Sequence, residues 1–139
     1  MTVKEIIEQL EQIASSTDFA GQSAILADRW TSDGTGVEAV EPILRFMEEH
    51  AAIEFGTPGA LVHFVERFYG NGYEGKLLES VKRRPTLSTI WMLNRVINGT
   101  KSPEIQQLLI GALEQSILNP LTDQNTRQLV SRFLNKLQQ

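Results

Sequence analysis

Residues able to do chemistry are few in this 139-residue chain, which has two histidines, His50 and His63, and no cysteine. A general base needs a partner within hydrogen-bond reach. The only carboxylate near His63 along the chain is Glu66, one helical turn further on. His63 closes the run Phe55-Gly-Thr-Pro-Gly-Ala-Leu-Val-His63, in which two glycines and a proline open onto an apolar segment. Glycines ahead of a helix can cradle a phosphate against the helix N-terminus. Here neither the G-x-x-x-x-G-K-[ST] nor the G-x-G-x-x-G spacing is present, no lysine stands at the helix start, and no strand leads in. The spacing favours a joint between helices, with Thr57 as N-cap and Pro58 at the first helical position, where a missing amide costs nothing. His63, flanked by Val62 and Phe64, then reads as a structural histidine on or beside a buried face. A general base working with Glu66 is the competing reading.

Other chemistry is thinner still. Two histidines 13 residues apart without cysteine match no zinc spacing, and no Asp-rich loop resembles an EF-hand, so neither metal nor cofactor is expected. His50, near the end of a helical segment, suits the negative end of that helix's dipole. Lys82-Arg83-Arg84 reads the same way, and a pI near 5.2 speaks against a nucleic-acid partner. No residue is assigned a catalytic role, and the chain is not expected to be an enzyme.

The elements that would carry these residues are helical throughout. Thr2-Val-Lys-Glu5 is a capping box ahead of Ile6, Ile7, Leu10 and Ile13 at helical spacing. Gln22 to Trp30 forms a second helix, and residues 31 to 36 a loop. Thr35 with Glu38 repeats the capping-box spacing before Val40, Ile43, Leu44 and Met47, with Pro42 either kinking this third helix or marking a start at Glu41. After a piece at 51 to 55 that could be extended, Leu61, Phe64, Val65 and Phe68 line the helix that Thr57 opens. Glu74 to Arg83 is a short amphipathic helix, and a sixth runs from Pro85 to Asn98 with Gly99 as its C-cap. Ser102-Pro103 opens a seventh with Ile105, Leu108, Leu109, Ala112 and Leu113 apolar. Thr122 caps an eighth carrying Leu129, Val130, Phe133 and Leu134. The expected fold is therefore all-α: one domain over residues 1 to 139, with about eight short helices in antiparallel pairs forming a HEAT-like α-solenoid bundle. The start of the chain lacks signal-peptide character and no run approaches 18 consecutive apolar residues, so a cytoplasmic location without a membrane span is expected.

Charge is unevenly placed. Residues 1 to 79 hold 14 Asp/Glu against 5 Lys/Arg, and residues 80 to 139 hold 3 against 8, within an overall net charge of −4. A strongly negative face steers toward a basic protein and away from nucleic acid. Glu38, Glu41, Glu48, Glu49, Glu54, Glu66 and Glu74, with Tyr69 and Tyr73, crowd the middle of the chain on expected helix ends and loops. They are the candidate partner-binding residues, the tyrosines being of a type that interfaces favour. A merely solvated acidic surface is the plainer alternative.

Residues 54 to 100 also resemble the small α-helical immunity proteins encoded beside bacterial polymorphic and contact-dependent growth inhibition toxins. In those, a Phe-Gly-[Ser/Thr]-Pro-Gly-x-[Leu/Ile]-Val-His turn and helix precede a Tyr-x-x-x-Leu-x-x-Ser helix and a Pro-Thr-x-x-Thr-[Ile/Val]-Trp-Met-Leu-Asn-Arg helix. The corresponding pieces here are Phe55 to His63, Tyr73 to Ser80 and Pro85 to Arg95. The resemblance implies a HEAT-like scaffold in which Gly56, Thr57, Pro58, Gly59, His63, Pro85, Trp91 and Asn94 are structural. It implies stoichiometric binding of a cognate toxin domain, often a nuclease; the free chain is expected to be a monomer. A helical-repeat adaptor with another protein partner is the alternative function.

Overall fold

The computed structural model describes residues 1–56 and 58–138, and among these every regular element is helical. The helices are α1 (Val3–Ile13), α2 (Phe19–Ser32), α3 (Val40–Glu49), α4 (Ala60–Glu66), α5 (Tyr73–Arg83), α6 (Leu87–Gly99), α7 (Pro103–Ser116) and α8 (Gln124–Leu137). A single 3-10 turn, Val37–Ala39, precedes α3. The all-α class expected from apolar periodicity is what the chain adopts. Contacts gather in two compact units, Met1–Lys76 and Leu77–Gln139, the division falling within α5.

In the N-terminal unit, α1 packs on α2 and α3, and α2 packs on α4. A helix touching both its successor and the helix after that is the neighbour relation of stacked helix pairs. The capping box at Thr2 forms: Glu5 N–H donates to Thr2 Oγ1 at 3.2 Å and Thr2 N–H to Glu5 Oε1 at 3.3 Å. That start sets Ile6 and Leu10 on the buried side of α1. Trp30 is fully buried on α2; its ring meets Phe64 of α4 edge-on at 5.5 Å, and its indole N–H donates to Gln9 Oε1 of α1 at 2.7 Å. One side chain thus ties three helices together. A second cluster joins Phe19, Phe46 and Phe55, with Phe19 and Phe55 edge-to-face at 5.6 Å and Phe46 and Phe55 at 6.0 Å.

Several helix starts differ from expectation, each for a local reason. α2 begins at Phe19 because the Asp18 carboxylate accepts from Gly21 N–H. The box expected at Thr35 and Glu38 does not form. Glu38 reaches back to Gly36 N–H at 2.9 Å, while Thr35 is buried with its hydroxyl unpaired among the described residues. Pro42 falls in the first turn of α3, where its missing amide is harmless, so no kink is needed. Residues 51 to 53 form turn and bend, and 54 and 55 belong to no regular element, so no strand forms where an extended piece was possible.

In the C-terminal unit, α6 packs on both α7 and α8, and α7 packs on α8. α6 starts two residues later than expected, at Leu87, because Thr86 and Thr89 form a reciprocal box buried behind Pro85. The Ser102 cap with Pro103 at the first position of α7 is as expected. α8 is capped by Asp123 rather than Thr122: Asp123 Oδ1 accepts from Thr126 N–H at 2.8 Å, freeing the Thr122 hydroxyl to donate to Ser116 O at 2.7 Å. On α7 the inward stripe is Leu109, Ala112, Leu113 and Ser116, whereas Ile105 and Leu108, which share the same apolar run, are exposed.

The Asp123 cap gives a pH-dependent prediction. The backbone N–H of Thr126, which donates to Asp123 Oδ1 at 2.8 Å, holds this carboxyl below the usual Asp range. A folded pKa below the unfolded one stabilises above the unfolded value, ~3.9, and that stability is lost as pH falls through the folded value. Asp123→Ala is expected to cost about 1 kcal/mol near neutrality. In urea titrations the gap between variant and parent should narrow as pH falls below the unfolded value, ~3.9; a gap that persists undiminished in acid would assign the loss to something other than the charged cap.

Candidate functional site

The Phe55–His63 run is built as a joint. Phe55 is buried, Gly56 has φ of +89°, a conformation that glycine adopts without strain, and Gly59 is the N-cap of α4. A Cβ on Gly59 would collide with the Phe55 carbonyl oxygen, so the close approach of the two peptides requires its bare backbone. The expected helix start at Pro58 is therefore corrected to Ala60, and the proposed Thr57 cap lies outside the described residues. The glycine carbonyl is already engaged, accepting from His63 N–H at 3.0 Å.

His63 itself is exposed, not set on or beside a buried face, because α4 turns Leu61, Val62, Phe64 and Val65 inward instead. It borders an open cleft of about 440 Å³ between α2 and α4, with Ala27, Asp28, Thr31 and Arg67 on its walls. Arg67 donates to Thr31 Oγ1 at 3.1 Å and lies over the rings of Phe64 and Phe68, 5.4 and 5.7 Å from their centroids. Glu66, half-buried on the same helix, is not a wall of that cleft. The pairing of His63 with Glu66 expected of a general base gains nothing from this arrangement.

The acidic set divides. Glu48 is only 8% exposed, since it falls on the same side of α3 as Leu44 and Met47, and Tyr73 is fully buried at the head of α5, where its amide reaches Phe68 O at 3.4 Å. Both were expected on the surface, and burial removes both from a docking face. Glu38 is engaged locally: the amide of Gly36, then its own amide, hold its carboxyl below the usual range. Glu74 accepts from Gly70 N–H at 2.9 and 3.0 Å, and Glu41 pairs with Arg45 at 3.5 Å and Lys76 at 3.8 Å. Glu49, Glu54 and Tyr69 are exposed, Tyr69 at 46%. The N-terminal unit as a whole carries 13 Asp/Glu against 5 Lys/Arg, net −8, and the C-terminal unit 4 against 8, net +4.

In the C-terminal unit, Lys82 and Arg83 occupy the last turn of α5, as a dipole-complementing end would, and Lys82 O accepts from Asn119 Nδ2 at 3.1 Å. Pro85 is buried, and Trp91 and Asn94 are half-buried on α6, with the Arg95 guanidinium 4.9 Å from the Trp91 ring centroid. An open groove of about 390 Å³ runs between Leu78, Lys82, Leu108, Gly111 and Ala112. Near it in sequence, Ile105, Leu108, Leu118 and Leu121 are 50%, 61%, 73% and 59% exposed.

One grouping was not visible in the sequence. Glu11 from the last turn of α1 meets Glu49 and His50 from the end of α3, with a ligand-type atom of each within 4.8 Å of the others. His50 does lie at the α3 C-terminus as expected, but its Nε2 is 3.0 Å from Glu11 Oε1 and its ring lies 4.5 Å from that of Phe46. Among the described residues no helix is long and apolar enough to cross a membrane. Comparison with family models, with curated proteins and with solved structures yields no match.

Proposed function

We propose that this chain is an immunity protein that neutralises a cognate bacterial toxin domain by stoichiometric binding. The observation that carries this reading is the acidic N-terminal unit, net −8, presenting Glu49, Glu54 and Tyr69 to solvent. Such a surface is complementary to the positive cleft of a nuclease, and occupying that cleft would deny it substrate without any chemistry by the inhibitor. The resemblance of residues 54 to 100 to immunity proteins supports the same reading. The Phe55–His63 turn is built as a joint between helices, which leaves recognition to side chains around it. Charge reversal at Glu49 and Glu54 together is the direct test, Glu48 being buried and unsuited to it. With the toxin domain encoded beside this chain's gene, Glu49→Arg/Glu54→Arg is expected to lower the association rate at low salt by about tenfold or more. The thermal midpoint should stay near that of the parent, and a rate that does not change would exclude this face.

The adaptor reading has its own support in the apolar groove beside α7. A largely apolar groove with the exposed Leu108 on its wall is a common kind of protein-contact site. Retention of toxin binding by Leu108→Asp, with loss of it in the Glu49/Glu54 variant, favours immunity through the acidic unit; the reverse pattern favours the groove.

A further inference from the structure

We propose that Glu11, Glu49 and His50 form a binding site for a divalent transition-metal ion, with Zn²⁺ the best match to one imidazole and two carboxylates. The site shares Glu49 with the proposed docking face but does not rest on the immunity reading. The three donors come from two helices and converge within 4.8 Å. Two ligand atoms each ~2.0–2.2 Å from one tetrahedral zinc ion lie roughly 3.3–3.6 Å apart, so the Glu11–His50 contact need open only by about half an ångström to admit one. The His50 Nε2 to Glu11 Oε1 separation is 3.0 Å. A small rotation of the exposed Glu49 side chain completes a three-ligand set, and water fills the open side.

Electrostatics supply a second reason for a cation at this point. Glu11 lies in the last turn of α1 and Glu49 is the last residue of α3, so both carboxylates stand at helix ends that already carry partial negative charge. Neither last turn contains a basic residue. Among the described residues no Lys or Arg forms an ion pair with Glu11 or Glu49. Two helix C-termini and two carboxylates are therefore crowded together with only an imidazole between them, and a bound dication relieves that crowding. His50 is the group that selects the metal: a site of carboxylates and water alone suits Mg²⁺ or Ca²⁺, whereas the imidazole nitrogen shifts preference to zinc and its neighbours in the transition series. The Phe46 ring, 4.5 Å from that of His50, limits the orientations the imidazole can take.

The test is calorimetric titration of the full chain, stripped with EDTA, with ZnCl₂. One site per chain is expected, with Mg²⁺ giving far weaker binding. His50→Gln, Glu11→Gln and Glu49→Gln are each expected to weaken zinc binding at least about tenfold, since loss even of groups behind a metal ligand costs 10–100-fold. His63→Gln is expected to bind as the parent does, which separates this site from adventitious binding at an exposed histidine. Circular dichroism of each variant checks that the fold is intact. Absence of saturable zinc binding by the folded parent, or equal affinity in His50→Gln and the parent, overturns the proposal. The zinc titration needs no toxin domain, so its failure and a failure of the docking face, read by the association rate of Glu49→Arg/Glu54→Arg, are told apart.

Discussion

Trp30→Ala is expected to destabilise the N-terminal unit by about 3–5 kcal/mol, the range for removing a large buried aromatic side chain. The indole is wholly shielded from solvent, and it is the point where α1, α2 and α4 meet. Truncation loses its buried area, opens a cavity beside Phe64, and leaves the Gln9 carbonyl without the indole N–H it accepts at 2.7 Å. The packing part dominates, since a single hydrogen bond contributes only about 0.5–1.5 kcal/mol net. Trp30→Phe separates the two: it keeps most of the ring and removes the N–H, so it should cost distinctly less than the alanine variant. Domains are held by only about 5–15 kcal/mol, so the alanine variant should have a large unfolded fraction in mild urea. Far-ultraviolet circular dichroism is the appropriate probe, because the remaining tryptophan, Trp91, belongs to the C-terminal unit and reports on that unit's surroundings. A loss of less than about 1 kcal/mol would mean that the three helices do not depend on this contact.

The way Trp30 works also shows what the sequence could and could not disclose. The Thr2 box and the Ser102-Pro103 start are legible from spacing, because each depends only on residues within one turn, whereas the contacts of Trp30 with α1 and α4 are not. The failures came where two local partners competed. Glu38 had a choice between the Thr35 box and the Gly36 amide, and a two-residue reach won. Thr122 and Asp123 both had cap chemistry; the carboxylate took the α8 amide because Ser116 O offered the hydroxyl a partner. Neither outcome can be read without the fold.

Burial of polar residues was harder still. Glu48 and Glu49 are adjacent, and a charge count treats them alike, yet a helix turns successive residues by about 100°, which puts one on the packed side of α3 and the other in solvent. Apolar run length misled in the other direction on α7, where Leu108 and Leu109 are neighbours and only Leu109 is buried. The cluster of Glu11, Glu49 and His50 lies beyond any motif search, because nearly forty residues separate Glu11 from the other two. What brings them together is the packing of α1, which buries Ile6 and Leu10, on α3, which buries Ile43 and Met47 among others.

Gly59→Ala is expected to cost about 1–3 kcal/mol, as introducing a methyl group into filled space commonly does. The new Cβ would overlap the Phe55 carbonyl oxygen and crowd the Phe55 carbonyl carbon. Relief requires the Phe55 peptide to move, but the Phe55 ring is only 5% exposed and is held against Phe19 and Phe46, so the joint and the aromatic cluster resist together. Backbone dihedrals are not the cause, since φ at Gly59 is −96°, open to any residue. Gly75→Ala is the matched control. Gly75 lies exposed on α5 with nothing within 4 Å of an added Cβ, and there alanine should add about 0.5–1 kcal/mol of stability through helix propensity. The same substitution should thus carry opposite signs sixteen positions apart, measured by the urea midpoint of each variant. If Gly59→Ala instead left stability unchanged, the close approach of the two peptides would not be what holds this joint, and glycine at that position would need a reason involving something other than the fold, such as a ligand brought up to the backbone.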